Sequence, residues 1–178
     1  MNRWLKRIAD LFSLKSTLKI DNALQSTASG DQKKVASNTE LSEENKRLFD
    51  TLHQFMWIQG EPLPLIFDLN EQIYIQQGIT RDALKQLEAC GLINFEPNGF
   101  VKKKFGKHTR LFYCGKPTKI GFPDDMNNQL DLGCVTLTER GKALASDREI
   151  PRNQAFYEYV IGRWYQSGYT VSSIQVDQ

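Results

Sequence analysis

Cysteine, histidine and long apolar runs are scarce in this sequence, and each scarcity excludes a class of protein. No stretch approaches the roughly 20 apolar residues that a membrane-spanning helix needs. Charged residues interrupt the first residues, so they lack the continuous apolar region of a signal peptide. The three cysteines are odd in number and have no CxxC spacing, which indicates reduced, mostly buried thiols. We therefore expect a cytoplasmic protein.

Motifs for catalysis and for metal binding are also missing. Only two histidines occur, His53 and His108, and neither has a metal ligand at a suitable spacing. We interpret His53 as partly exposed on a helix and His108 as lying in a hairpin turn. No Gly-rich phosphate loop, HExxH or GxSxG motif is present. The sequence therefore predicts a protein that is not an enzyme and that needs neither a cofactor nor a metal.

Positive charge is concentrated in two segments of a chain whose net charge is only +2. Residues 1–20 carry five basic residues and one acidic residue, and residues 99–119 carry seven basic residues and no acidic one. The remainder of the chain is therefore strongly acidic. Clustered charge steers partners of opposite charge, so the two basic segments are the candidate contact regions.

Residues 1–15 predict an amphipathic helix, because five apolar residues fall on one helical face. Those residues are Trp4, Leu5, Ile8, Leu11 and Phe12. Residues 16–40 are rich in Ser, Thr, Asn, Gln and Lys and predict a disordered linker. A helix of this length is marginal alone in water. It can lie on its own domain, on a partner or a second copy of the chain, or on a membrane surface, and the sequence leaves all three open.

Residues 41–178 predict one α+β domain that begins with helices. Ser42 is a good N-cap for a helix that we extend to about Trp57. A buried extended piece over 65–67 and a short helix over 69–77 follow. Thr80 caps the next helix, and Gly91 ends it.

Strands dominate the second half of the predicted domain. Leu92 begins a strand, and Pro97-Asn98-Gly99 is a turn signal. Residues 100–105 and 109–114 flank Gly106 and predict a β-hairpin. The remaining elements are an irregular excursion over 115–131, a strand over 134–137, a helix from the Thr138 cap to Ala145, a helix over 153–166 and a strand over 169–176.

This order of elements resembles winged-helix proteins. The segment TRDALKQLEACGLI resembles their second helix-turn-helix element running into the first wing strand. VTLTERGKAL resembles the returning wing strand and following helix of the multiple-antibiotic-resistance-regulator type. In LTxxGxxL the strand leucine is buried, the threonine caps a helix, and the glycine allows that helix to pack closely. From SEENKRLFDTLHQFMW to the C-terminus, the chain is similar to the C-terminal half of a bacterial family of unknown function.

Two features depart from the pattern of DNA-reading winged helices. The outward face of the helix after Thr80 carries two basic and two acidic residues, whereas DNA readers present a net positive face. Tyr74 stands where helix-turn-helix sequences place a small residue. Winged helices also serve as protein-binding modules, so the resemblance alone does not decide the function.

The basic hairpin is the strongest functional signal in the sequence. Because strand residues alternate between two faces, we expect Lys102 and Lys104 on one face and Lys103 on the other. Cations on a projecting wing suit contacts with phosphates. The hypothesis is a regulatory module that binds duplex DNA; the alternatives are a protein-interaction module and a membrane-peripheral adaptor. The predicted nucleic-acid-binding residues are Arg81, Lys85, Lys102, Lys103, Lys104, Lys107 and Arg110.

Overall fold

The computed structural model describes residues 41–146 and 152–173 of the chain. This part is a mixed α+β structure with antiparallel sheets, which confirms the predicted fold class at that level. Its helices are α1 Glu43–His53, α2 Gln72–Ile75, α3 Arg81–Ala89, α4 Glu139–Ala145 and α5 Gln154–Gln166. The predicted helix of 1–15 and linker of 16–40 lie outside the described residues.

Seven strands build two sheets in the described part of the chain. The strands are β1 Met56–Gln59, β2 Glu61–Pro64, β3 Ile93–Phe105, β4 His108–Tyr113, β5 Lys116–Gly121, β6 Asn128–Leu137 and β7 Thr170–Ser173. A five-stranded sheet has the order β2-β1-β4-β5-β7, and β3 pairs with β6 in a separate two-stranded ribbon. Strands adjacent within each sheet run antiparallel.

The three predicted helix caps are confirmed. The Ser42 hydroxyl accepts a hydrogen bond from the backbone N–H of Asn45 at 3.2 Å, and Thr80 and Thr138 cap α3 and α4 in the same way. The predicted end of the first helix near Trp57 is wrong, because α1 ends at His53. Trp57 instead lies in β1, where it is buried and contacts other aromatic rings. Such contacts between distant segments override local helical periodicity.

The predicted hairpin of 100–105 with 109–114 is wrong. Strand β3 continues unbroken through Pro97-Asn98-Gly99 and pairs with β6, whereas β4 pairs with β5 and β1. The residues predicted to form a turn lie instead within β3, where the pairing with β6 shifts register between Phe95 and Phe100. Proline has no backbone N–H for a ladder hydrogen bond, so such a residue suits a bulge.

The predicted irregular excursion over 115–131 is also wrong, because β5 and the start of β6 occupy most of it. In β5, Thr118 and Ile120 are buried, and they pair with Leu111 and Thr109 of β4. Pro117 and Gly121 are rare within strands, so the sequence of β5 does not show a clear alternation of buried and exposed residues. Beyond β5, β7 (Thr170–Ser173) lies within the strand predicted over 169–176, and residues 174–176 lie outside the described residues.

An aromatic cluster fills the core beneath the five-stranded sheet. The ring of Trp57 stacks on Tyr113 at 5.1 Å between centroids and meets Trp164 of α5 edge-on at 4.9 Å. The Tyr113 hydroxyl donates to the Gln54 carbonyl at 2.8 Å and accepts from the Asn153 N–H at 3.0 Å. These contacts fix α5 and the end of α1 against β4, and both tryptophans are buried.

Gly133 joins the ribbon to the segment that follows β2. Its φ is +75°, and a Cβ there would collide with the Ile66 carbonyl. Next to it, the Cys134 N–H donates to the Ile66 carbonyl at 2.7 Å. The chain segment before α2 is therefore hydrogen-bonded to β6. In the sequence, α2 and α3 follow this segment and precede β3.

Candidate nucleic-acid interface

Helix α3 presents two of the predicted cations, Arg81 and Lys85, and both side chains are exposed. The Arg81 guanidinium carbon lies 5.7 Å from the centre of the Phe95 ring of β3. The Glu88 carboxylate accepts a hydrogen bond from the Phe95 N–H at 2.8 Å. One of the two acidic residues on the outward face is therefore engaged with the ribbon, although the face still carries no net charge.

The three consecutive lysines of β3 differ in their surroundings. Lys102 is half-buried, donates to the Gln59 side chain of β1, and lies 3.8 Å from the nearer carboxylate oxygen of Glu61. Lys103 and Lys104 are exposed, and no ion pair to either occurs within the described residues. Lys104 has a φ of +67° beside a register shift. That irregular backbone removes the strict alternation on which the predicted shared face of Lys102 and Lys104 depended.

Glu61 compensates more than one lysine. Its second carboxylate oxygen is 2.7 Å from Lys142 Nζ of α4, and Lys142 also lies 2.9 Å from Glu139. The hydrogen bond from Lys142 is the main cause of the lowered pKa of Glu61, and the same bond raises the pKa of Lys142. Lys102 thus borders a charge network that links β2, β3 and α4.

The two remaining predicted cations do not extend the lysine run of β3. Lys107 donates to the Pro123 carbonyl at 2.8 Å and lies 3.3 Å from an Asp125 carboxylate oxygen. Arg110 is exposed on β4, where its cross-strand neighbour is Lys119 of β5. The seven basic residues of 99–119 therefore do not form one wing, and two of them are compensated by carboxylates.

Lys119 is a cation that the predicted site omitted. Its pairing with Arg110 places two positive charges directly opposite each other on the five-stranded sheet. The sequence signal for this pairing is weak, because Pro117 and Gly121 favoured a loop. A correct assignment of β5 as a strand would have brought the two residues together.

A small cleft lies beside Arg81, at the start of α3. Its volume is about 280 Å³, and its lining residues are Phe67, Asp68, Leu69, Asn70, Thr80, Arg81, Phe95, Pro97 and Cys134. Burial raises the pKa of the Cys134 thiol to about 11. The thiol is therefore protonated at neutral pH and is a poor nucleophile.

The histidines and cysteines differ in part from the predictions. His53 is buried rather than partly exposed, and His108 lies at the start of β4 rather than in a hairpin turn. Cys134 is buried, Cys90 is half-buried and Cys114 is exposed, so the expectation of mostly buried thiols fails at Cys114. Across residues 41–146 and 152–173, no three potential metal ligands of the His, Cys, Asp and Glu types come together.

The predicted partner- or membrane-binding residues Trp4, Leu5, Ile8, Leu11 and Phe12 lie outside the described residues. None of the described helices has the length and apolar character required to cross a bilayer.

Comparison with known proteins gives no relative from which a function can be transferred. No protein-family model, no curated protein and no solved structure matches the chain.

Proposed function

We propose that this protein binds duplex DNA, without catalysing a reaction, through α3 and the ribbon of β3 and β6. In this proposal α2, α3 and the ribbon act as a winged helix, with the ribbon as the wing. Support comes from the chain order, since α3 leads directly into β3 and Glu88 and Arg81 of α3 both contact Phe95. A basic regulatory module of this kind needs no cofactor.

The observation that carries the proposal is the difference between neighbouring lysines of the ribbon. Lys103 and Lys104 are exposed and lack an ion pair within the described residues, whereas Lys102 and Lys107 lie near carboxylates. A lysine without a carboxylate partner can neutralise a phosphate and release its counterion, and this release drives binding to DNA. Lys85 of α3 is also exposed and can add a further contact with the DNA backbone.

The test compares two double variants of equal charge. Binding of full-length protein to a labelled duplex of about 20 base pairs is measured by fluorescence anisotropy between about 50 and 200 mM salt. We expect K103Q/K104Q to weaken binding and to reduce the slope of log affinity against log salt by about 1.8, the value for two phosphate contacts. The matched control K102Q/K107Q should reduce the slope by less, because carboxylates already compensate those charges.

Two results would contradict the proposal. One is the absence of duplex binding by the unmodified protein at low salt. The other is an equal effect of the two double variants on affinity and slope, since that would show a response to net charge alone.

A further inference from the structure

The five-stranded sheet has an outer face, which points away from the aromatic core. Along β4, Leu111 and Tyr113 are buried, so the alternating residues Arg110 and Phe112 point to the opposite side of the sheet. Lys102 of the ribbon donates a hydrogen bond to the Gln59 side chain, which in turn donates to the Thr109 hydroxyl. Thr109 is next to Arg110 in β4, so its side chain lies on the inner face, opposite to that of Arg110. The ribbon therefore contacts the inner side of the sheet, and the outer face is a separate surface.

An apolar row crosses four strands of this outer face. The strand register places Pro62 of β2 opposite Ile58 of β1, Ile58 opposite Phe112 of β4, and Phe112 opposite Pro117 of β5. Ile58 is 39% exposed, although it lies at the centre of the row. An exposed isoleucine in the middle of a sheet is apolar surface that a ligand can cover.

A cationic row runs beside the apolar one. Arg110 of β4 lies opposite Lys119 of β5, and Lys119 lies opposite Ser172 of β7. Neither cation forms an ion pair with a carboxylate in the part of the chain that the structure describes. Like charges directly opposite each other destabilise a sheet. Repulsion between Arg110 and Lys119 therefore lowers the stability of the fold, and a bound anion would relieve that repulsion.

The spacing of the two rows suits an extended polyanion with flat apolar groups. Residues two apart along a strand are separated by roughly 7 Å, and neighbouring strands by about 4.8 Å. A nucleic-acid strand that lies across the sheet can therefore place its phosphates on the cationic row and its bases on the apolar row. Positive grooves beside aromatic side chains bind single strands in this way.

We propose that the outer face of the five-stranded sheet binds single-stranded nucleic acid through Arg110, Lys119 and the apolar row at Ile58. The proposal does not depend on binding of duplex DNA by the ribbon, because it concerns other residues on another face. A single strand is favoured over a duplex because stacking of the base pairs in a duplex hides the base faces that the apolar row would contact. A single strand is favoured over an uncharged ligand because Arg110 and Lys119 are positively charged and its phosphates are negatively charged.

The experiment uses full-length protein and labelled oligonucleotides of about 12 nucleotides, oligo-deoxythymidylate and oligo-uridylate, with anisotropy as the readout. We expect R110E/K119E to lower the affinity at least tenfold and to reduce the salt slope by about 1.4, the value for two phosphate contacts on a single strand. Ile58→Thr should lower the affinity and leave the salt slope unchanged.

A single variant separates loss of binding from loss of folding. R110E places a carboxylate opposite Lys119, so its unfolding temperature should equal or exceed that of the unmodified protein, while its oligonucleotide affinity falls. K103Q/K104Q is the control on the other surface and should leave single-strand affinity nearly unchanged. Its effect on duplex binding tests the ribbon proposal separately.

Three results would overturn this inference. In the first, the unmodified protein binds neither oligonucleotide at low salt. In the second, R110E/K119E binds both as well as the unmodified protein does. In the third, an acidic peptide binds in an Arg110- and Lys119-dependent manner whereas both oligonucleotides fail, which would identify a protein as the occupant of this face.

Discussion

At the scale of single residues, His53 is an ionisable group whose burial favours its neutral form. Its side chain is only 3% exposed, and its Nδ1 lies 2.7 Å from the Phe49 carbonyl. Desolvation lowers the pKa of His53, and the hydrogen bond to Phe49 opposes that shift only in part. The neutral imidazole therefore donates from Nδ1 to the carbonyl, while Nε2 has no hydrogen-bond partner among the described residues.

The lowered pKa of His53 predicts a loss of stability in acid. Because the unfolded chain titrates near pH 6.5 and the folded one only at lower pH, the unfolded state binds more protons as the pH falls below about 6.5. The free energy of unfolding should therefore decrease there, by at most about 1.4 kcal/mol per pH unit for this one group. Urea denaturation at several pH values tests this, with His53→Gln as the variant that should show a smaller pH dependence. An unchanged dependence in that variant would contradict the assignment.

At the scale of elements, the segment LTERGKAL behaves as its sequence predicts. Leu137 is buried, the Thr138 hydroxyl accepts from the Gly141 N–H at 3.1 Å, and Gly141 is buried beside Leu92. A Cβ on Gly141 would collide with the Leu92 carbonyl. The glycine thus allows α4 to approach the start of the ribbon, as expected from the pattern.

Two glycine-to-alanine changes in helices separate close packing from helix propensity. Gly141→Ala should lower the free energy of unfolding by about 1–3 kcal/mol, because the added methyl group has no space beside Leu92. Gly162→Ala in α5 is the matched control, since no atom lies within 4 Å of its added Cβ. That change should raise the free energy of unfolding by about 0.5–1 kcal/mol through helix propensity. Chemical denaturation measures both, and a loss of similar size in the two variants would refute the packing explanation.

At the scale of the whole molecule, the buried core of the described residues comes from two ranges, 49–137 and 156–164. Its largest fully buried side chains include Trp57, Trp164, Tyr74, Tyr113, Phe49, Phe55 and Phe156. We therefore expect a shortened chain that begins at Leu41 to unfold cooperatively, with an unfolding temperature close to that of the full chain. Thermal unfolding followed by circular dichroism tests this expectation, and a non-cooperative transition would contradict it.

The same shortened chain tests the hypothesis that residues 1–15 bind a membrane surface. That hypothesis predicts that the full chain co-sediments with anionic liposomes and that the shortened chain does so much less. Equal sedimentation of the two would exclude the membrane role of Trp4, Leu5, Ile8, Leu11 and Phe12. The proposals for the ribbon and for the sheet are unaffected by either result, because their residues are retained in the shortened chain.

Prediction from the sequence succeeded where the signals are local. The caps at Ser42, Thr80 and Thr138 lie within three residues of the groups they bond. Strand partners are different, because hydrogen-bonded residues can be far apart in the sequence. The end of β3 therefore looked like half of a hairpin with β4, although its partner is β6.

The candidate site was predictable in composition but not in arrangement. The cluster of cations over 99–119 is visible in the sequence, yet Glu61 and Asp125, which compensate Lys102 and Lys107, come from other segments. The pairing of Arg110 with Lys119 likewise depends on the β4–β5 register.

The sequence by itself determined the helix caps and the α+β class, since cap bonds act over a few residues. Tertiary structure decided which strands pair, which lysines keep an uncompensated charge, and which sheet face carries Arg110. These properties arise from contacts between residues distant in the chain, and the free energy of those contacts depends on packing that no local pattern encodes.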